Sequence, residues 1–265
     1  MDTILKFPGG KWRIADWIIS FFPEHKVYCE PYFGSGAIFF NKQPVYTETI
    51  NDIDGDIYNL FMVCRNYPLE LAKEINLTLF SREEFQHCNE RSDNPVEQAR
   101  RTLVRYHQSF GTSNSSLNSW RNVQTYGGPR CATMWNYLPE AIIKCCERLK
   151  QAQIKNIDGI ELIKRYNDKD TLLYLDPPYL PELRKKNIYK CEMKEEKHIE
   201  LLETIKKSNS MIVLSGYDNK LYNSVLSDWY AAEKKTTAQM GKQRTEKLWM
   251  NFQPNTQITL NFEEA

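Results

Sequence analysis

No run of about eighteen apolar residues occurs anywhere in this chain of 265 residues, so no bilayer-crossing helix is expected. The start shows no charged, then apolar, then small-residue cleavage pattern, so a chain retained in the cytoplasm is expected. Asn76-Leu77-Thr78 and Asn114-Ser115-Ser116 then carry no meaning as glycosylation signals. Histidine is scarce, at four residues, and the seven cysteines (Cys29, Cys64, Cys88, Cys131, Cys145, Cys146 and Cys191) include no C-x-x-C pair and no neighbouring His cluster. Zinc, other metals and disulfides are therefore not expected. A formal charge of +1 is no excess that announces a polyanion partner; its distribution matters more than its total. There is no internal repeat and no low-complexity tract. What remains is enough chain for one α/β domain with a sizeable insertion.

The most informative stretch is Thr171-Leu172-Leu173-Tyr174-Leu175-Asp176-Pro177-Pro178-Tyr179. It reads as a buried strand that stops at a stiff turn. Proline fixes φ and has no N–H, so Pro177 presents a carbonyl beside the Asp176 carboxylate and the Tyr179 ring. Two acceptors next to a flat ring suit the exocyclic amine of a nucleobase. The plain alternative is a strand end with a capping Asp and a Pro-Pro loop.

Earlier in the chain, Val27-Tyr28-Cys29-Glu30 reads as a short strand that breaks at Pro31-Tyr32-Phe33-Gly34-Ser35-Gly36 and runs into an apolar helix from Ala37. Strand, glycine turn and helix make the nucleotide-binding corner of a doubly wound sheet. A second strand over 45–50 ends in Asn51-Asp52-Ile53-Asp54, which puts an acid where ribose hydroxyls bind. That corner serves nicotinamide and S-adenosylmethionine enzymes alike. The nicotinamide reading is weaker, because the third glycine of G-x-G-x-x-G falls at Phe39. At the N-terminus, Gly9-Gly10-Lys11-Trp12 lacks the Walker spacing, and Trp12 stands where a magnesium-binding hydroxyl belongs, so ATP is not supported.

After a helix over 54–66 the α/β alternation stops for about eighty residues. Helices are predicted over 69–75, 82–88, 95–110 and 134–149. Residues 98–139 contain no Asp or Glu, yet hold Arg100, Arg101, Arg105, Arg121 and Arg130. Their middle, from Gly111 to Asn122, is rich in short polar side chains and reads as a loop, with a solvated linker as the plain alternative. Arginine and amide groups there are of the type that contacts phosphates and base edges, which marks Arg105, Asn118, Arg121, Asn122 and Arg130. The alternation resumes with a strand over 153–157, the Asp158-Gly159 turn and a helix over 160–166. Beyond the Asp-Pro-Pro-Tyr turn, Arg184, Lys185, Lys186 and Lys190 lie in a polar loop suited to a phosphate backbone. A helix over 195–207, a strand over 211–214 before Ser215-Gly216-Tyr217, and a helix over 219–226 follow. Strands over 231–236 and 248–252, with an edge strand over 257–262, complete the reading.

Assembled, these motifs resemble the Dam-like DNA adenine-N6 methyltransferases, in which a target-recognition region lies between the glycine corner and the Asp-Pro-Pro-Tyr corner. The marks are Lys6 to Lys11, Glu30 to Gly36, Asn51 to Asp54, Asp176 to Tyr179, Ser215 to Tyr217 and Glu246-Lys247-Leu248-Trp249-Met250-Asn251. Their order covers nearly the whole chain. The resemblance implies an α/β fold, a Rossmann-like class I methyltransferase sheet carrying a mostly helical inserted target-recognition domain. Residues 1–67 and 153–265 would form the S-adenosylmethionine-binding catalytic domain and 68–152 the insertion.

It also implies S-adenosylmethionine as donor, S-adenosylhomocysteine as product, and the N6 of a flipped-out adenine in double-stranded DNA as acceptor. Phe7, Gly10 and Lys11 look like the N-terminal donor-binding loop, although the family often has Trp or Tyr where Phe7 stands. Glu30, Pro31, Phe33, Gly34 and Gly36 resemble the loop around the donor's methionine part, Asp52 with Ile53 the ribose side, and Asp158 the adenine side. The family often has an aromatic residue where Gly159 stands. Asp176 borders donor and acceptor; with the Pro177 carbonyl it would take the amine's hydrogens, while Pro178 stiffens the turn and Tyr179 stacks on the base. Arg184 and Lys185 join the insertion residues as DNA contacts. A monomer is expected, with a weak dimer as the alternative, in a bacterial, phage or mobile-element context that includes restriction-modification.

Amine methylation of RNA or protein, and an inactive DNA-binding relative, are the competing readings. The arginine-bearing insertion favours a polymer, and an intact carboxylate at a desolvated turn argues against a dead enzyme. The Asn-Arg-x-Gly and Phe-Asn-x-Pro pattern of GATC-methylating members is not found in 108–130, so GATC is not assigned.

Overall fold

The computed structural model describes residues 3–7, 9–109, 120, 121, 133, 135–183, 190–237 and 243–254. Strand β1 (Val27–Glu30) pairs in parallel with β2 (Thr47–Asn51) on one side and β4 (Thr171–Leu175) on the other. Outside them lie β3 (Ala152–Lys155), parallel to β2, and β5 (Met211–Tyr217), parallel to β4. A hairpin of β6 (Tyr230–Thr237) and β7 (Gln243–Met250) sets β7 antiparallel to β5, and the seven-stranded order is β3-β2-β1-β4-β5-β7-β6. The order reverses between β1 and β4, and open α/β sheets bind ligands in the crevice at such a point.

Both faces of the sheet are covered, and β4 shows how. Leu172 and Tyr174 belong to one buried core and Leu173 and Leu175 to the other, as the two-residue side-chain period of a strand requires. All five residues of β4 are buried, which fits a parallel strand packed on both sides.

On the first face lie α1 (Ala15–Ile19), α2 (Ala37–Asn41), α3 (Gly55–Asn66), α4 (Pro68–Leu77), α5 (Arg82–His87), α6 (Pro95–Gln108) and α7 (Leu138–Leu149). The second carries α8 (Gly159–Arg165), α9 (Glu195–Lys206) and α10 (Lys220–Val225). Several starts are set by side-chain caps. Asp54 accepts the Asp56 N–H at 2.9 Å, and Asn94 accepts from Val96 and Glu97 with Pro95 at the first helical position. The inserted helices share a core with the sheet: Leu71, Ile75, Leu103 and Ile142 are fully buried in one cluster with Leu60 of α3 and Tyr28 of β1. Trp135 Nε1 donates to the carbonyls of Ile75 and Thr78, and a His107 ring nitrogen bonds the Ile4 carbonyl at 2.9 Å.

Several boundaries differ from the sequence expectation. Strand β5 continues through Ser215-Gly216-Tyr217, because β7 starts at Gln243 and pairs Leu248, Lys247 and Glu246 opposite those three residues. Partner strands are invisible to local pattern. Helix α7 starts at Leu138, and the predicted edge strand over 257–262 lies outside the described residues. No helix among the described residues is long and apolar enough to cross a membrane.

The glycine corner can be tested by stability. Gly36 has φ +67, and a Cβ there would lie 2.4 Å from Phe33 and 2.7 Å from Phe40. Strain and overpacking together should cost Gly36→Ala roughly 2–5 kcal/mol in urea unfolding. Gly55→Ala, where nothing lies within 4 Å, should be neutral or stabilise by up to about 1 kcal/mol. Equal effects in the two variants would refute the steric account.

Candidate active site

At the carboxyl ends of β1, β2 and β4 lies a cavity of about 250 Å³. The N-terminal loop, the glycine corner, the β2 tip, the β3–α8 turn, the Asp-Pro-Pro-Tyr turn after β4 (the acceptor turn of the sequence expectation), residues 190–193 and Lys197 line it. Of the donor-site residues expected from sequence, Phe7, Gly10, Lys11, Glu30, Pro31, Phe33, Gly34, Asp52, Ile53, Asp158 and Asp176 all line it. Gly36 does not line it; it lets Phe33 and Phe40 close beneath the corner.

Close packing explains glycine at two of the lining positions. Gly34 has φ +50, and a Cβ there would lie 3.0 Å from the Phe7 ring; at Gly10 it would meet the Ser35 hydroxyl at 3.2 Å. Trp12 Nε1 donates to that hydroxyl at 3.1 Å, which ties the N-terminal loop to the corner.

Asp52 is held by backbone on both oxygens: Oδ2 accepts the Gly34 N–H at 2.8 Å and Oδ1 the Asp54 N–H at 2.9 Å. Burial outweighs these bonds and raises its carboxyl to about 6. Its remaining lone pairs are open to hydroxyl donors. Glu30 accepts the Tyr28 hydroxyl at 2.7 Å, and burial raises its carboxyl to about 8. Asp158 caps α8 through Oδ1, while Oδ2 lies 3.7 Å from Lys197. The place of an aromatic residue at position 159 is taken by Tyr32, whose ring would be 2.8 Å from a Cβ on Gly159.

At the acceptor corner, Lys11 Nζ donates to Asp176 Oδ1 at 3.0 Å and lies 2.9 Å from Oδ2. The same ammonium donates to the Gly9 carbonyl and sits 4.9 Å from the centre of the Tyr179 ring. Burial raises the Asp176 carboxyl to about 6, opposed mainly by the Lys11 charge. Pro177 is buried and Pro178 lines the cavity. Tyr179 is 6% exposed, with its edge on Tyr217 at 4.5 Å and its hydroxyl donating to Glu246 Oε1 at 2.5 Å.

Two residues take roles that the local sequence does not reveal. Glu246 stood within a recognised motif but had no role, because only the β5–β7 pairing brings it to Tyr179. Lys190, expected in a phosphate-facing loop, instead turns inward to Asp56 at 2.8 Å and Asp54 at 3.3 Å and lines the cavity. Its side chain stays 46% exposed while paired with both carboxylates.

Of the expected DNA contacts, Arg105 is 17% exposed and paired with Asp56 at 3.0 Å, so it joins α6 to α3 and is not free for a phosphate. Burial makes that pairing the lower-energy use of its charge. Arg121 donates through Nε to the Ser109 carbonyl at 3.2 Å, and Trp120 bridges to Ser109. Asn118, Asn122, Arg130, Arg184 and Lys185 lie outside the described residues.

This strand order, with a glycine corner and an acceptor turn flanking the switch point, defines the Rossmann-like methyltransferase class of α/β protein. Residues 7–240 match the D12 class N6 adenine-specific DNA methyltransferase family, and the chain belongs to that family. A DNA adenine methylase of Haemophilus influenzae is 27% identical over 187 residues, covering 67% of this chain and 63% of that protein. The type II methyltransferase M1.LlaDCHI of Lactococcus lactis subsp. cremoris is 28% identical over 193 residues, covering 66% and 65% respectively. The chain therefore matches somewhat less than two thirds of the length of these two relatives. A DNA adenine methylase of Escherichia coli K12 is 23% identical over 250 residues, covering 88% and 85%.

The raised carboxyls predict how stability depends on pH. Glu30 titrates near 8 in the fold against 4.5 in its ordinary range, so the unfolded chain binds fewer protons between those values. The Glu30 contribution to stability of the ligand-free protein should fall as pH rises through that window, while the buried His107 ring, lowered to about 3 by burial, contributes in the opposite sense below its ordinary 6.5. Asp52 and Asp176 add to the fall between 3.8 and about 6. Glu30→Gln should flatten the part between about 6 and 8 in urea titrations at fixed ionic strength. An unchanged slope there would remove Glu30 as its source.

Proposed function

We propose that the chain transfers a methyl group from S-adenosylmethionine to the N6 of an adenine flipped out of double-stranded DNA, releasing S-adenosylhomocysteine. The observation that carries this reading is the Asp176 carboxylate, held by Lys11 on the wall of the same cavity as Gly34 and Asp52. Membership of an N6-adenine DNA methyltransferase family supports it. Residues 68–152 would be the target-recognition region, and 1–67 with 153–265 the catalytic domain.

The cavity suits the donor. Gly34 leaves backbone exposed where a side chain would collide with Phe7, Asp52 keeps acceptor capacity for a ribose diol, and the exposed face of Ile53 offers apolar contact. When bound, the donor supplies an electrophilic methyl group on a sulfonium. The chain's own part is positioning and electrostatics. An adenine amine is a poor nucleophile because its lone pair is delocalised into the ring. Asp176 and the Pro177 carbonyl accept its two hydrogens, which localises that pair toward the methyl and stabilises the charge developing on nitrogen until one of those hydrogens leaves as a proton, giving neutral N6-methyladenine. Lys11 holds both Asp176 oxygens in place. No protein nucleophile is required. Extruding the base costs roughly a few kcal/mol, which contacts from the recognition region offset.

The test is tritium transfer from labelled donor to DNA, RNA and protein, with wild-type chain and variants. DNA labelled at N6 of adenine is expected. Asp176→Ala should nearly abolish transfer while S-adenosylhomocysteine still binds in calorimetry, and retained activity would overturn the mechanism. Asp52→Ala should weaken donor binding by about tenfold or more, as loss of a hydrogen bond to a charged group implies. Unchanged affinity rejects its ribose role. For recognition, Arg121→Ala and Asn122→Ala should lower DNA affinity or blur the methylated sequence mapped in cells expressing this chain. Wild-type affinity and an unaltered map in both variants would remove them from recognition.

A further inference from the structure

Strand β7 reaches the acceptor corner through a single buried carboxylate. Glu246 is 5% exposed; its Oε1 accepts the Tyr179 hydroxyl at 2.5 Å and the Ser215 hydroxyl at 2.7 Å, and lies 3.6 Å from Lys11 Nζ. An apolar residue would fill that volume without the desolvation cost of a carboxylate. The geometry points to Glu246 as the positioning residue for the Tyr179 ring, an inference that rests on the function proposed above.

A tyrosine hydroxyl lies on the ring's long axis. A tether at the hydroxyl fixes where that axis points but leaves rotation about it free. The rotation is limited separately by Tyr217, whose ring meets Tyr179 at 67° with centroids 4.5 Å apart. Tyr217 is opposite Glu246 in the β5–β7 ladder, and Arg244, two residues before Glu246 on the same face of β7, donates to the Tyr217 hydroxyl at 2.5 Å. One strand therefore restrains both the direction and the tilt of the ring on which, by the family resemblance, the extruded base would stack. Ser215 completes the arrangement by fixing the carboxylate that does the tethering.

The role differs from general support of the core in its dependence on an acceptor atom. Glu246→Gln keeps an oxygen for the two hydroxyls, Glu246→Ala removes it, and Tyr179→Phe removes the donor but keeps the ring. With the full chain at saturating donor and DNA, Glu246→Ala and Tyr179→Phe should each lower kcat by about tenfold or more, and Glu246→Gln by less than about threefold. The double variant Glu246→Ala/Tyr179→Phe should be no slower than the slower single variant. A Gln variant as slow as the Ala variant, single effects that multiply in the double variant, or unchanged kcat in Glu246→Ala each overturn the inference. If Glu246→Ala does not fold, Glu246→Met takes its place in the cycle, since it fills the space without the acceptor. A wild-type chain that methylates another amine overturns the proposed function alone, and the same cycle on that amine decides Glu246. A chain active on adenine whose cycle fails overturns only Glu246. One that methylates nothing overturns both.

Discussion

The ion pair between Lys11 and Asp176 is the contact on which the rest of the site depends. Asp176 stands at the end of a strand buried on both faces, where an isolated carboxylate would be strongly disfavoured. Its partner comes from the other end of the sequence and must be delivered there by the N-terminal loop. The Lys11 bond to the Gly9 carbonyl, the turn from Gly10 N–H to the Phe7 carbonyl, and the Trp12–Ser35 bond make that delivery rigid. The glycine corner and the acceptor turn are thus coupled: displacing the loop leaves a buried charge without a partner, at a cost of up to about 3–5 kcal/mol.

A second ionic junction binds the inserted helices to the same cavity. Asp56, in the first turn of α3, receives Arg105 and Gln98 from α6 and Lys190 from the segment after the acceptor turn. Burial opposes ionisation of this carboxyl, but the bonds and charges of Lys190 and Arg105 outweigh it and lower its pKa. The junction joins two regions that the sequence suggested were separate in role. Arg105 therefore contributes to the position of α6 on α3, and any approach of nucleic acid must rely on other groups.

How much of this was legible depended on the range of the interaction that decides each feature. The central strands, the capped helices α3, α6 and α8, and the two corners are decided within a few residues by hydrophobic period, Asp54, Asn94 and Asp158 caps, and the glycine and proline turns. Those were readable. The length of β5, the inward turn of Lys190 and the engagement of Glu246 with Tyr179 depend on groups far apart in sequence. Composition around Lys190 is that of a solvated loop, and nothing local announces the acids that capture it. Arg105 shows the same limit, since a basic residue in an acid-free stretch has its partner outside that stretch.

The charge around the cavity follows from these arrangements. Its wall carries Glu30, Asp52, Asp54, Asp158, Asp176 and Glu192 against Lys11, Lys190 and Lys197, and two of the three lysines are in ion pairs with lining acids at 3.3 Å or less. Even with Glu30 protonated near neutral pH, acids outnumber bases. Glu246 adds a further carboxylate behind Lys11. A low-dielectric pocket of that sign favours a cationic ligand over a neutral one of the same shape. On the proposed function, the sulfonium form is the cation and the thioether left after transfer has lost that charge. On that same proposal the acids favour the donor over the product, so the electrostatics proposed to orient the reactants also favour product release.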